Sequence, residues 1–268
     1  MAFPVFDGAR LKIDRARKHV ADLESAVDKF MAEKPFELLL RQDNMKEEVD
    51  VLFKEHRVIP LVLSALIGDA IHNLRSCLDH AIFALVGSKA MKPSKVQFPF
   101  SEYEKDFEGI LKGGELALAG NKVFQAIRDL KPYGDGNRLL HAVHAMDIQD
   151  KHRDFILAGR VVSIVADDLV KIHPAFGRVR GEGILAFTNI EGEKIWGVKT
   201  SQLSPRAQRR ANAKQHGRYY EKSSDYQPPM AICFGRGERL DGQQILPTLQ
   251  DMTKVVVEAL NTLQQAVR

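Results

Sequence analysis

Cysteine is almost missing from this sequence. The 268 residues include two, Cys77 and Cys233, far apart and each in apolar surroundings. That excludes a disulfide-stapled scaffold and a cysteine-only zinc site, and it predicts two buried, reduced thiols. Glycine and proline, at 19 and 11 residues, are near average usage, which excludes collagen-like and low-complexity chains. Long apolar runs are also missing. The longest, around residues 59–67, is closed by Gly68 and Asp69, well short of the ~20 residues of a membrane span. Residues 1–8 have no basic stretch leading into an apolar one, so no secretory leader is read there and a cytoplasmic address is expected. Neither sign of charge dominates: 39 Lys+Arg against 35 Asp+Glu leave +4. An isoelectric point near 9.0 permits nucleic-acid binding without requiring it. Gly-x-x-x-x-Gly-Lys-Ser/Thr and Gly-x-Gly-x-x-Gly are both absent, which argues against ATP or dinucleotide binding by the common loops. So are Gly-x-Ser-x-Gly and His-Glu-x-x-His.

What is present reads as helices followed by strands. Leu11, Ile13, Ala16, Val20, Leu23, Val27 and Phe30 recur mostly at three- and four-residue intervals, a helix that Pro35 closes. The period then falls to two over residues 36–40 and again over 49–53, predicting a hairpin with its loop near 42–46. Residues 60–86 are the most apolar stretch and predict a long buried helix ended by Gly87. Ser101 and Glu104 have capping-box spacing for a short helix to Leu111. Two more helices are expected over 123–130 and 137–149. Strand-like runs occupy 154–165, 170–173, 183–190 and 194–200, with a turn at 191–193, and together suggest an antiparallel meander. Residues 204–229 are polar and basic (Arg206, Arg209, Arg210, Lys214, Arg218, Lys222) and read as a loop or short helix. A last strand at 231–234 precedes an amphipathic helix over 245–267.

Strands gathered apart from helices mean α+β. The expected molecule is one compact α+β domain over 1–268. It has a helical bundle from 1–153 and 240–268 and an antiparallel β-rich part from 154–239, joined by the hairpin at 36–56. The C-terminal helix packs back on the bundle.

The segment Gly68-Asp69-Ala70-Ile71-His72-Asn73-Leu74-Arg75-Ser76-Cys77-Leu78-Asp79-His80 carries the chemistry. On a helix at ~100° per residue, Asn73, Ser76 and His80 fall within ~40° of Asp69, with His72, Asp79 and Arg75 on one flank. Solvated helix faces are usually long Lys, Glu, Gln and Arg; short Asp, Asn, Ser and His cost helix stability. Such a stripe suits either a reaction cleft or a buried network fixing helix packing. A second cluster holds His141, His144 and Asp147 at three-residue steps, then Asp150-Lys151-His152-Arg153 at the expected helix end. Lys151, His152 and Arg153 there suit the helix dipole. Alternatively Asp150, His152 and Arg153 face the stripe and complete one site.

Arg75 and His80 have Arg-x4-His spacing. An arginine can stabilise phosphorane charge while a histidine moves protons. On one helix the two are ~140° apart, so they would meet across a groove or between two subunits. Arg-x4-His on a helical scaffold resembles the HEPN superfamily. The residue after the arginine in that family is usually Asn, Asp or His, and here it is Ser76. The longer stretches Gly68–His80 and Asp150–Arg153 also resemble an uncharacterised bacterial and phage-type family, which brings no activity with it. The HEPN likeness implies a metal-independent ribonuclease or RNA-binding protein, of toxin or defence type, working as a homodimer without a cofactor. Arg75 would bind the scissile phosphate and His80 would act as general acid/base. Asp69, His72, Asn73, Asp79, Asp150, His152 and Arg153 would support them. Two other readings stay open. One is a non-catalytic interaction or ligand-binding protein with a structural polar network. The other is a helical-bundle metal site drawn from Asp69, His72, Asp79, His80, His141, His144 and Asp147.

Overall fold

A computed structural model of the chain describes residues 6–155 apart from 44, 46 and 88, together with 157–161, 194–199, 205, 219–223, 226 and 229–267. The fold is α+β. Its contacts gather into two units, one of residues 1–26, 61–155 and 245–268 and one of residues 27–60 and 156–244.

The first unit contains most of α1 (Asp7–Ala32), then α2 (Leu61–Val86), α3 (Glu104–Lys112), α4 (Asn121–Leu130), α5 (Arg138–Asp150) and α6 (Ile245–Ala266). α2 is its centre, packed by α5 and by the C-terminal α6, which also covers α4 and α5. Leu63, Ile67, Ile71, Leu74 and Leu78 of α2 are fully buried. Among the described residues, α2 is the one helix long and apolar enough to cross a membrane, and 61% of its most apolar window is buried inside the structure. Gly87 ends it by close approach, since a Cβ there would sit 2.6 Å from the Phe83 carbonyl oxygen. On α1 the buried row is Ala9, Ile13, Ala16, Val20 and Leu23. Leu11, one position off that row, is exposed instead of buried.

α5 is capped as its sequence invites: the Asn137 side chain accepts the Leu140 N–H. The capping box expected at Ser101 does not form. α3 starts at Glu104, and its first free N–H donates to Asp135 Oδ1 from the next loop. Glu104 accepts instead from the Tyr133 hydroxyl, and Ser101 Oγ donates to the Tyr103 carbonyl. A tertiary acceptor has displaced the local one.

In the second unit the hairpin forms as read. β1 (Phe36–Asp43) pairs antiparallel with β2 (Glu48–Glu55), Phe36 opposite Glu55 and Asp43 opposite Glu48. Asp43 Oδ1 accepts the Met45 N–H in the turn, and Glu47 takes a positive φ of 53°. The hairpin lies at the middle of a four-stranded sheet, flanked by β4 (Lys194–Lys199) beside β2 and β5 (Tyr219–Ser223) beside β1. β3 (Leu157–Val161) pairs with β6 (Met230–Phe234) in a separate ladder. Of the strands expected in the meander, β3 pairs with β6 and β4 with β2, both partners distant in sequence. The end of the basic stretch is also a strand: Tyr219 and Tyr220 favour extended backbone, and β1 offers a free edge. Gly159 of β3 lies under the Phe36 ring, where a Cβ would overlap it. Phe36 also meets Phe30 and Phe53, with ring centroids 5.9 and 5.3 Å away. The strands expected at 170–173 and 183–190, the turn at 191–193 and most of the basic stretch lie outside the described residues.

Candidate functional site

The two polar clusters of the sequence face each other across α2 and α5. Gly68 stands against Asp150, whose carboxylate a Cβ at 68 would overlap. His72 Nδ1 lies 2.8 Å from Asp147 Oδ1. Arg75 Nε donates to His144 Nδ1 at 3.1 Å. As the number rises on α2 it falls on α5, so the helices run antiparallel and meet rung by rung. Gly68 is what lets the Asp150 rung close.

The inner rung is a buried network. The Arg75 side chain is 6% exposed and forms an ion pair with Asp79 one turn on. Asp79 Oδ1 also accepts the Phe98 N–H at 2.8 Å, which ties the loop after α2 to the helix. Phe100 stacks on His144, centroids 4.6 Å apart and planes 2° from parallel, and carries the Arg75 guanidinium 4.9 Å from its ring centre. Because Nδ1 of His144 accepts from Arg75, the ring is neutral with its proton on Nε2. Burial first, then the Arg75 charge, push its pKa down to about 4. Arg75, His144, Phe98, Phe100 and Lys95 border a cavity of about 190 Å³.

The outer rung is open. The His72 side chain is 53% exposed while Asp147 is 5% exposed. Asp147 Oδ2 accepts from Lys151 Nζ at 2.7 Å. A carboxylate only accepts, so His72 carries its proton on Nδ1 and turns a basic Nε2 outward. Ser76 Oγ, one turn further along α2, stands 3.4 Å from that Nε2. Asp150 is pushed up from the ordinary carboxylate range by burial, then by Asp147, Asp69 and Asp154.

The residues named from sequence thus separate. His72, Arg75, Asp79 and Asp150 join the two helices or the following loop. Asn73 is buried and donates its amide to the Asp69 carbonyl, a packing role. Asp69 Oδ2 lies 3.9 Å from His19 Nδ1 on α1. His80 is exposed and sits by Gly8, where a Cβ would come 3.1 Å from its Nδ1. Arg75 and His80 do not meet within the chain. His152 and Arg153 are exposed in the turn after α5. His141 is buried and approaches Glu102 at 3.4 Å. Among the described residues, no three His, Cys, Asp or Glu side chains are grouped to hold a metal. Both cysteines are buried and outside any disulfide, and burial followed by Asp79 pushes the Cys77 thiol up to about 12, which keeps it inert.

α1 lies beside the open rung: His19 Nδ1 is 3.9 Å from Asp69 Oδ2 at one end, and a Cβ at Gly8 would come 3.1 Å from His80 Nδ1 at the other. Between them Lys12 and Arg15 continue the same helical row at steps of four, three and four, partly and fully exposed. His72, Ser76 and His80 stand at successive turns of α2, exposed, partly exposed and exposed in turn. Linear spacing drew attention to Arg75 and His80, whereas the His72–Ser76 step of four and the partner Asp147 needed the helix register. No family model, curated protein or solved structure matches the chain.

Proposed function

We propose that the helical unit is a metal-independent ribonuclease, of the HEPN-like kind that the Arg-x4-His spacing resembles, with proton transfer at His72. The observation that carries this reading is the His72–Asp147 pair. A half-exposed imidazole is held in one tautomer by a buried carboxylate at 2.8 Å, with its second nitrogen left to face outward. Such a group takes a proton from an attacking hydroxyl and returns it to the leaving 5′-oxygen. The neighbouring α1 carries Lys12 and Arg15, whose positive charge would attract a phosphate. Asp147 is already partnered by Lys151, which limits the repulsion that carboxylate exerts on a polyanion. Arg75 holds the inner rung and the loop at Phe98. The dyad comes from one chain, so a second copy is not needed to complete it.

The test is cleavage of single-stranded RNA in EDTA by the wild type and by His72→Ala, Asp147→Asn, His80→Ala and Arg75→Ala, with melting curves for each. Wild-type cleavage that falls ~10²–10⁴-fold in His72→Ala and Asp147→Asn at little-changed Tm is expected. Arg75→Ala should melt below the wild type, because it removes both the ion pair to Asp79 and the bond to His144. Cleavage that survives His72→Ala and vanishes in His80→Ala would place the acid–base role at His80 and overturn the reading.

A further inference from the structure

The geometry points to Ser76 as a covalent nucleophile activated by His72, so that the site cleaves phosphodiesters whether or not they carry a 2′-hydroxyl. The inference rests on the ribonuclease reading for its substrate class and goes beyond it in naming the attacking atom. Three groups stand in series: Ser76 Oγ 3.4 Å from His72 Nε2, and His72 Nδ1 2.8 Å from Asp147 Oδ1. Nucleophile, base and buried orienter in this order are recognised by geometry and role, whatever the fold or chain order. The longer first step suits a site without substrate, since such bonds tighten in the reacting complex.

The local structure gives the serine little other purpose. A mid-helix serine usually returns its hydroxyl to the carbonyl four residues back, whereas Ser76 Oγ stands beside the His72 ring. It is partly exposed, so a substrate can reach it. His80 is exposed one further turn along α2, and Arg15 is exposed on α1; positive charge on either would stabilise the charge that develops on phosphorus.

The step balances. Ser76 Oγ attacks phosphorus while its proton passes to His72 Nε2, and an O–P bond forms. The bond from phosphorus to the 5′-oxygen breaks, and that oxygen takes the proton from the imidazolium. Water, deprotonated by His72, then attacks the phosphoserine, frees Ser76 and leaves a phosphate monoester on the upstream product. No metal, oxidant or second substrate is required.

The experiment compares a single-stranded RNA oligonucleotide with its fully 2′-O-methylated copy, both in EDTA, cut by wild type and by Ser76→Ala. Alanine is the better helix former, so Ser76→Ala keeps α2 intact, and a melting curve checks it. Intact-protein mass after acid quench reads the adduct. The expected result is cleavage of both oligonucleotides by the wild type, a phosphonucleotidyl adduct on Ser76, and at least a hundredfold loss of both cleavages in Ser76→Ala. RNA cleavage that persists in Ser76→Ala, or an uncut methylated copy beside cut RNA, overturns the covalent step and leaves the ribonuclease reading standing. No cleavage of either by the wild type overturns both.

Discussion

At the scale of the residue, His144 is held neutral by three neighbours at once: a wall of protein, the Arg75 guanidinium and the Phe100 ring. His141 and Lys151 add to the pressure and Asp147 opposes it. The folded pKa, about 4, lies below the 6.5 of a free histidine. The unfolded chain therefore binds a proton at a pH where the folded one does not. The resulting stability is fully present above pH ~6.5 and is lost as pH falls towards 4. The ring is partly exposed, so screening trims the effect to on the order of 1–2 kcal/mol. Asp150, whose pKa is raised, works in the opposite sense and is relieved by protonation. Thermal melting from pH 7 to pH 4 should show the wild-type Tm falling, with a shallower fall in His144→Gln, whose side chain can still accept from Arg75. Parallel slopes for the two proteins would show that His144 does not govern acid sensitivity.

At the scale of the element, the contact between α2 and α5 depends on one missing atom. The absent side chain at Gly68 is what admits the Asp150 carboxylate. Gly68→Ala should destabilise by ~2 kcal/mol or more, despite alanine's better helix propensity, because the overlap forces the helices apart. In an Asp150→Ala background the same substitution should cost little, and the difference in urea midpoints gives the coupling directly. Equal costs in both backgrounds would place the strain elsewhere. This junction also marks what the sequence could and could not disclose. The periodicities revealed α1, the hairpin, α2, α5 and α6, because each buries one regular row. Both polar clusters stood out by composition, since short polar residues are costly in a helix without a reason. The pairing of His72 with Asp147 and of Arg75 with His144 was not legible. It depends on which faces two helices present to each other, a distance of ~70 residues away in the chain. Asp135 in place of Ser101 at the start of α3 is the same lesson on a smaller scale: a long-range acceptor outcompeted a local one.

At the scale of the whole molecule, both units are built from segments far apart in the chain, which implies many long-range contacts and slow folding relative to a local helical bundle. The helical unit waits for its last segment. Ile245, Leu249, Met252, Val256, Leu260 and Leu263 of α6 are buried. Each such side chain is worth ~1.5–3 kcal/mol, so together they rival the ~5–15 kcal/mol that holds an ordinary protein folded. A chain stopped at residue 244 should lose its cooperative urea transition and its near-ultraviolet circular dichroism while keeping some helical signal. A truncated chain with a sharp transition near the wild-type midpoint would show that α6 is an accessory.

The antiparallel rungs of α2 and α5 have one more consequence, which concerns spacing instead of identity. Each rung is aligned by counting residues from the one before it. Deleting a single residue between His72 and Arg75 would rotate the rest of α2 by ~100° and carry it back by ~1.5 Å. Arg75 would swing away from His144 and Asp79 from the Phe98 amide, and Ser76 would leave the imidazole, although every side chain named here would still be present. Point changes can be absorbed one rung at a time. A change of length in either helix unzips them together, so drift in these two segments should proceed by substitution and compensation, with their lengths held constant.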